Sequence, residues 1–351
     1  MTAGHCCYVR AEGDHELPPS FAAVMATGIV SIGARQLSVA VVDIPLLVLN
    51  VAAYVVAWLM TGRALARHPA AVLADLADHR RAFGFLTCVA ATSVLGAQMV
   101  TIAGSVPIAT ALLILAVLLW LVLSYAVFAL LIVTREKPSL AAGIDGGWLL
   151  AVVAAQSIAV LTALLSRHWE SALRRDADFI ALALWLSGGV LYLWIASLIF
   201  YRSTFLPFSP ADLTPTYWIN MGAMAISALA GSLLVEDAGD VPFIASLRPF
   251  IEGGAILCWA TGTWWTPLLA TLVVWRHAIQ RLPLGYEPAY WSAVFPLGMY
   301  AVATHALASA MSLDFLVVIA RACFWIAVGA WLLTAAGFTR RRLHAPARRA
   351  S

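Results

Sequence analysis

Few side chains that could do chemistry lie inside the long apolar stretches of this chain. Glu252 and Arg321 each lie in one such stretch, and His305 lies near the middle of another. An ionisable group inside a membrane segment is a candidate for transport or proton transfer. Glu252 and Arg321 could instead form a structural ion pair, or Arg321 could extend to the membrane surface. His305 could likewise be a hydrogen-bonded packing residue, a ligand or a proton carrier.

Small and neutral polar residues recur at helical spacing along alternate stretches. Such a row can line a pore, or it can let two helices approach closely within a membrane. The spacing alone does not separate these two interpretations. The candidates for pore-lining residues are Thr27, Gly28, Ser31, Thr87, Ala91, Gln98, Gln156, Ala159, Asn220, Ala223, Ser227, Gly298, Val302 and His305.

The stretch 291–311 combines a bulky ring with a helix-breaking residue. Pro296 directly follows Phe295 and cannot donate a backbone hydrogen bond, so the sequence predicts a kink there. Helical spacing puts Val302 and His305 on the stripe headed by Phe295. That stripe could be a packing face, or a pore wall with one bulky obstruction.

The motifs of catalysis and of cofactor binding are missing from the sequence. It has no phosphate-binding glycine loop in a suitable context, no HExxH, and no Cys or His spacing typical of zinc. No series of Asp, Glu and His runs through the apolar stretches, as a proton-coupled pump would need. Cys6 and Cys7 lie in a polar tail, where the pair could bind a soft metal or be incidental. Neither an enzyme, a cofactor nor a metal site is predicted.

The composition is that of a protein with many membrane segments. Hydrophobic residues make up 62 % of the chain and charged residues 11 %, whereas a soluble domain has about 25 % charged residues. The formal net charge of +3 is too small to indicate a nucleic-acid partner. We therefore predict an all-α integral membrane protein in contact with the lipid bilayer.

Apolar length predicts ten transmembrane helices between a tail at 1–19 and a basic tail at 339–351. Most Lys and Arg residues lie on one side of the predicted topology, which places both termini in the cytoplasm. The loop with Arg167, Arg174 and Arg175 runs against this rule. The predicted segments are 20–39, 43–60, 84–104, 107–133, 147–166, 179–200, 215–235, 251–275, 291–311 and 315–338.

The loop lengths alternate along the chain. Tight turns at 104–107 and 312–314 contrast with a longer basic loop after the second segment. This alternation suggests five helical hairpins. We hypothesise that they surround a common axis and that each contributes one helix to the centre.

Four segments carry motifs that resemble one transporter family. They lie in the first segment (Phe21–Ser31), the fifth (Gly147–Ser157), the seventh (Tyr217–Ile226) and the ninth (Val294–Tyr300). Together they resemble the tellurite-resistance/dicarboxylate transporter family, which includes malate permeases, a sulfite pump and the plant slow anion channel. The resemblance covers most of the chain.

The resemblance implies a homotrimer in the cell membrane, in which each protomer has its own pore. The odd-numbered helices would line that pore and the even-numbered helices would surround it. Phe295 matches the residue that closes the pore in channel members, so it is the expected gate for small inorganic or organic anions. The alternative is a coupled carrier of C4-dicarboxylates such as malate, or an exporter of sulfite- or tellurite-type oxyanions.

Overall fold

The computed structural model describes residues 20–39, 41–283 and 285–344, and within them every regular element is a helix. The tail 1–19 with Cys6 and Cys7 and the end of the basic tail lie outside the described residues. The α-helices are α1 (Ser20–Gln36), α2 (Asp43–Arg67), α3 (Pro69–Leu76), α4 (Thr87–Thr101), α5 (Val106–Val133), α6 (Leu140–Gly143), α7 (Leu150–Ser166), α8 (Ser171–Phe205), α9 (Ile219–Asp237), α10 (Pro242–Val274), α11 (Trp291–Met311) and α12 (Phe315–His344).

The predicted fold class, an all-α membrane protein, is confirmed. Nine helices in the described part of the chain are long and apolar enough to cross a membrane. α1 has 17 residues and falls just short of a full span by length. The count of ten spans therefore stays a prediction.

Burial divides the long helices into an inner and an outer group. In their most apolar parts, 94 % of the residues of α7 and α9 are buried, and 72 % of those of α4 and α11. The corresponding share is 17 % in α5 and α10 and no more than 33 % in α2, α8 and α12. α1 belongs to the inner group, because nearly all of its apolar side chains are buried.

The inner helices form a closed ring in the order α1, α4, α7, α9, α11, and α11 packs back against α1. Each inner helix also packs along the outer helix that follows it, which gives five hairpins. The outer helices keep large apolar residues such as Val122, Leu193 and Leu333 exposed, as expected for surfaces in contact with lipid. The odd-numbered predicted segments are thus the ones inside.

Several helix boundaries differ from those predicted. α8 begins at Ser171 and α10 at Pro242, both well before the predicted starts. The first turns of α8 were missed because they are polar, and those of α10 because Arg248 and Pro249 interrupt the apolar run. α12 continues past residue 338 to His344. α11 remains helical through Pro296, so a kink there stays a prediction.

Two adjacent glycines in α8 give a matched test of this packing. A Cβ at Gly188 would lie 2.4 Å from Nε2 of Gln156, whereas a Cβ at Gly189 would meet no atom within 4 Å. We expect Gly188→Ala to lower the thermal unfolding midpoint in detergent, at a cost of about 1–3 kcal/mol for overpacking. Gly189→Ala should not lower it. Equal midpoints for the two variants would contradict the contact between α7 and α8.

Candidate functional site

A cavity lies among the five inner helices. Its volume is about 50 Å³, which is enough to hold water. All five inner helices contribute to its wall. The lining residues are Ile29, Ile32, Gln36, Ser93, Val94, Ala97, Thr101, Ser157, Val160, Leu164, Ile226, Leu229, Leu233, Met299 and Val302.

The lining residues show how the inner helices are oriented. On α1, α4, α7 and α9 they extend from about the middle of the helix toward its C-terminal end. The inner helices therefore run parallel, and the cavity lies toward their C-terminal ends. From Ile29 to Gln36 the wall extends for about 10 Å along the axis, at about 1.5 Å per residue. Ser93, Ser157 and Met299 are buried and mark what we call the deep end, whereas Gln36 and Thr101 are half-buried and mark the mouth.

The wall of the cavity is mostly apolar and carries no Asp, Glu, Lys, Arg or His among its residues. Its polar side chains are Gln36, Ser93, Thr101 and Ser157. An ion inside it would therefore meet hydroxyl and amide dipoles and no fixed charge. Such a site can interact with an ion while letting it leave.

The three hydroxyl groups of the wall differ in their hydrogen bonds. Ser157 Oγ donates to the carbonyl of Ala154 at 2.8 Å, and Thr101 Oγ1 donates to that of Ala97 at 2.7 Å. Ser93 is 1 % exposed, and its Oγ has no hydrogen-bond partner. Ser93 is thus the one hydroxyl of the cavity whose proton is not already used by a backbone carbonyl.

Phe295 lies on the face of α11 that carries two cavity residues. Successive helical residues turn by about 100°, so Phe295, Met299 and Val302 fall within a narrow stripe. Phe295 is 2 % exposed and lies one turn beyond Met299 toward the N-terminal end of the helix. Phe295 is not itself among the cavity residues; its position on this face puts it one helical turn beyond Met299 of the wall.

Glycines let the helices beside Phe295 approach closely. A Cβ at Gly222 of α9 would lie 2.7 Å from Cγ of Pro296. A Cβ at Gly298 would lie 2.7 Å from Cγ2 of Ile29 on α1. Gly298 thus faces α1, and the side chain of Pro296 faces α9. These contacts hold the backbone of α11 just after Phe295 against α9 and α1.

Of the predicted pore-lining residues, Val302 lines the cavity. The predicted polar residues of α1 bond to outer helices instead. Thr27 Oγ1 accepts a hydrogen bond from Trp331 Nε1 of α12 at 3.0 Å. Ser31 Oγ donates to the carbonyl of Asp43 of α2 at 2.8 Å.

The amide side chains of the inner ring also face their neighbours. Asn50 Nδ2 donates to Gln98 Oε1 at 2.6 Å, and Gln156 Nε2 donates to the carbonyl of Trp185 at 2.9 Å. Gly28 lies at the first of these contacts, where a Cβ would be 2.8 Å from Asn50 Nδ2. Each of these buried amides thus uses one atom in a hydrogen bond between an inner and an outer helix, while Asn50 Oδ1, Gln98 Nε2 and Gln156 Oε1 have no partner among the described residues.

The remaining candidates lie elsewhere on the inner helices. Thr87 Oγ1 donates to the carbonyl of Gly84 at the start of α4, and His305 is half-buried beside the charges of Arg321 and Glu236. The others are buried but are not among the cavity residues: Ala91, Ala159, Asn220, Ala223 and Ser227. Most of the small and neutral polar residues at helical spacing thus pack the helices together and do not line the cavity.

The suggested pair of Glu252 with Arg321 is wrong. Glu252 Oε1 instead accepts a hydrogen bond from Arg248 Nε at 2.8 Å, four residues earlier on the same helix. Residues at this spacing lie one above the other on a helix surface. Arg321 is exposed on α12.

The arginines near the mouth of the cavity are balanced by acids. Arg35 Nη1 lies 3.3 Å from Asp43 Oδ2. Arg167 Nε and Arg174 Nη2 lie 2.9 and 3.1 Å from Asp237 Oδ1. Paired in this way, these arginines do not form a net positive funnel.

The opposite end of the bundle is held by a buried arginine. Arg202 of α8 is 2 % exposed. Its Nε donates to the carbonyl of Ala141 at 3.0 Å, its Nη1 donates to the Tyr217 hydroxyl at 3.1 Å, and its Nη2 lies 3.2 Å from Asp212. The Ser209 amide, aided by Arg202, holds the pKa of the Asp212 carboxyl below its ordinary value. This cluster joins α8 to the segments that lead into α7 and α9.

Comparison with known sequences gives one family and several relatives. A family described as "Voltage-dependent anion channel" matches residues 16–339. Two Mycobacterium tuberculosis sequences, described as uncharacterized membrane proteins, are 41 % identical over 144 residues, which is 41 % of this chain and 73 % of theirs. A Methanocaldococcus jannaschii protein, described as an uncharacterized transporter, is 26 % identical over 191 residues, or 54 % of each chain.

Proposed function

The chain belongs to the voltage-dependent anion channel family, and from this premise we propose that small anions cross the membrane through the cavity between its inner helices. Family membership makes it a membrane transport protein and agrees with the family resemblance seen in the sequence. The pathway, the gate and the choice of anion are our proposals.

One observation carries the proposal. A closed ring of five helices surrounds a cavity without charged side chains, and the buried Phe295 lies one helical turn before Met299 of its wall. Helices packed only for stability would gain from filling such a space with side chains. A transport path instead needs a space that water and ions can enter.

Phe295 would act as the gate. A narrow apolar passage with a bulky ring beside it resists hydration, and an ion cannot cross it without water or polar groups. Moving the ring aside would connect the cavity to the N-terminal end of the bundle.

The size and chemistry of the cavity favour small monovalent anions. Room for a few waters also admits chloride or nitrate, whereas a C4-dicarboxylate would need a wider passage. A second charge would also raise the cost of leaving water in a site without cations. No titratable side chain lines the cavity to couple anion movement to protons.

Purified protein in liposomes tests this choice of substrate. We expect flux of chloride and nitrate, weak flux of malate, and rates that do not change with an imposed pH gradient. Protein-free liposomes are the control. Saturable malate flux that follows the pH gradient would contradict the proposal and support the coupled carrier.

We further propose that both termini are cytoplasmic, so that the cavity opens away from the cytoplasm, and that the protein is a homotrimer in the cell membrane. The exposed apolar faces of the outer helices would contact lipid and neighbouring protomers. Mass measurement of the detergent-purified protein tests the trimer. A monomeric mass at all concentrations would contradict it.

A further inference from the structure

We infer that the hydroxyl of Ser93 is the hydrogen-bond donor of an anion-binding site at the deep end of the cavity, specific for a small monovalent anion. This inference rests on the proposed function and adds the residue that binds the permeating ion.

The unpaired state of this hydroxyl is the first argument. Buried side-chain polar groups in proteins nearly always have a hydrogen-bond partner. A serine or threonine inside a helix commonly donates to the carbonyl three or four residues earlier, as Ser157, Ser227 and Thr101 do here. Ser93 Oγ is buried in the cavity wall and has no such bond. Its partner is therefore expected among the contents of the cavity.

The surroundings strengthen any bond that Ser93 makes. Its neighbours in the cavity wall include Val94, Ala97 and Ile29, all apolar. A hydrogen bond to an ion is stronger in such a medium than in water, and bonds to a charged acceptor are the strong class. The wall offers no acidic side chain to hold a cation. Membership of an anion channel family and the free hydrogen-bond donor of Ser93 both favour an anion as the ligand.

The position of Ser93 links binding to gating. Ser93 lies at the level of Ser157 and Met299, and Phe295 is one turn further along α11. An anion bound by Ser93 would thus wait directly beside the closed gate. A single hydroxyl without a fixed charge binds weakly enough for the ion to move on.

The test measures chloride flux as a function of chloride concentration, in liposomes and in the Phe295→Ala background. Ser93→Ala should raise the half-saturating chloride concentration about tenfold, because a hydrogen bond to a charged group is lost. Ser93→Thr, which keeps a hydroxyl, should stay close to the parent. Ser93→Cys has only a weak donor and should resemble the alanine variant.

Ser227→Ala is the matched control, since it removes the same atoms from a buried hydroxyl of an inner helix that already donates to Ala223 and does not line the cavity. It should leave the half-saturating concentration unchanged. If Ser93→Ala and Ser227→Ala behave alike, the Ser93 site is overturned and a bound water is its only partner. If the Phe295→Ala background itself carries no chloride, the proposed function fails as well, so the two failures are distinguishable.

Discussion

Liposomes that contain the Phe295→Ala variant should release chloride at least about tenfold faster than those with the unchanged protein, which corresponds to a barrier lowered by about 1.4 kcal/mol or more. The variant removes the ring beside the deep end of the cavity while α11 and its contacts through Pro296 and Gly298 remain. The passage then admits water, and a hydrated path is easier for an ion. The measurement is chloride efflux at matched protein density.

Phe324→Ala is the control for this variant. Phe324 is 1 % exposed on α12, packs at Gly33 of α1 and is not among the cavity residues. Removing it deletes the same atoms and costs stability, about 3–5 kcal/mol for a buried phenylalanine, but it should not speed chloride release. If both variants speed release equally, the effect is a general loosening of the bundle and Phe295 is not the gate.

Arg202→Ala should lower the stability of the protein by about 3 kcal/mol, the sum of two lost hydrogen bonds from a charged donor. The carbonyl of Ala141 and the hydroxyl of Tyr217 would lose their partner in a buried place. The ion pair with Asp212 adds less, because that side chain is 29 % exposed. The thermal unfolding midpoint of the detergent-purified protein should fall by several degrees.

Arg175→Ala is the matched variant on the same helix. Arg175 and its partner Asp176 are 65 % and 64 % exposed, and such surface pairs contribute little. We expect its midpoint to equal that of the parent. A midpoint for Arg202→Ala as high as that of Arg175→Ala would show that the buried cluster does not stabilise the start of the inner helices.

Much of the fold could be predicted from the sequence. The apolar segments, their hairpin arrangement and the inner position of the odd-numbered ones follow from hydrophobicity, from loop lengths and from the family motifs. The polar first turns of α8 could not be found this way, because a search for apolar length excludes residues such as Arg174 and Asp178. Charge pairing could not be predicted either, since the sequence offers Glu252 a candidate partner on its own helix, Arg248, and another on α12, Arg321.

The candidate site was predicted less well, for a physical reason. Polar residues on the inner helices were candidates for pore lining. In an apolar membrane, however, Thr27, Gln98 and Gln156 must find hydrogen-bond partners, and they bond to outer helices. The cavity wall is mostly Ile, Leu and Val, which by type alone do not differ from packing residues. The sequence did carry one useful signal, the helical spacing that places Phe295 and Val302 on the same stripe of α11.

The central claim is that anions pass through the cavity itself, and a cysteine at Val302 tests it most directly. In a Phe295→Ala chain whose 5 native cysteines are replaced, a charged thiol reagent at this cysteine should block most chloride flux. The same reagent at Val318→Cys, on the exposed face of α12, should have no effect. Full labelling at Val302→Cys, verified by mass spectrometry, with undiminished chloride flux would contradict a pathway through the cavity.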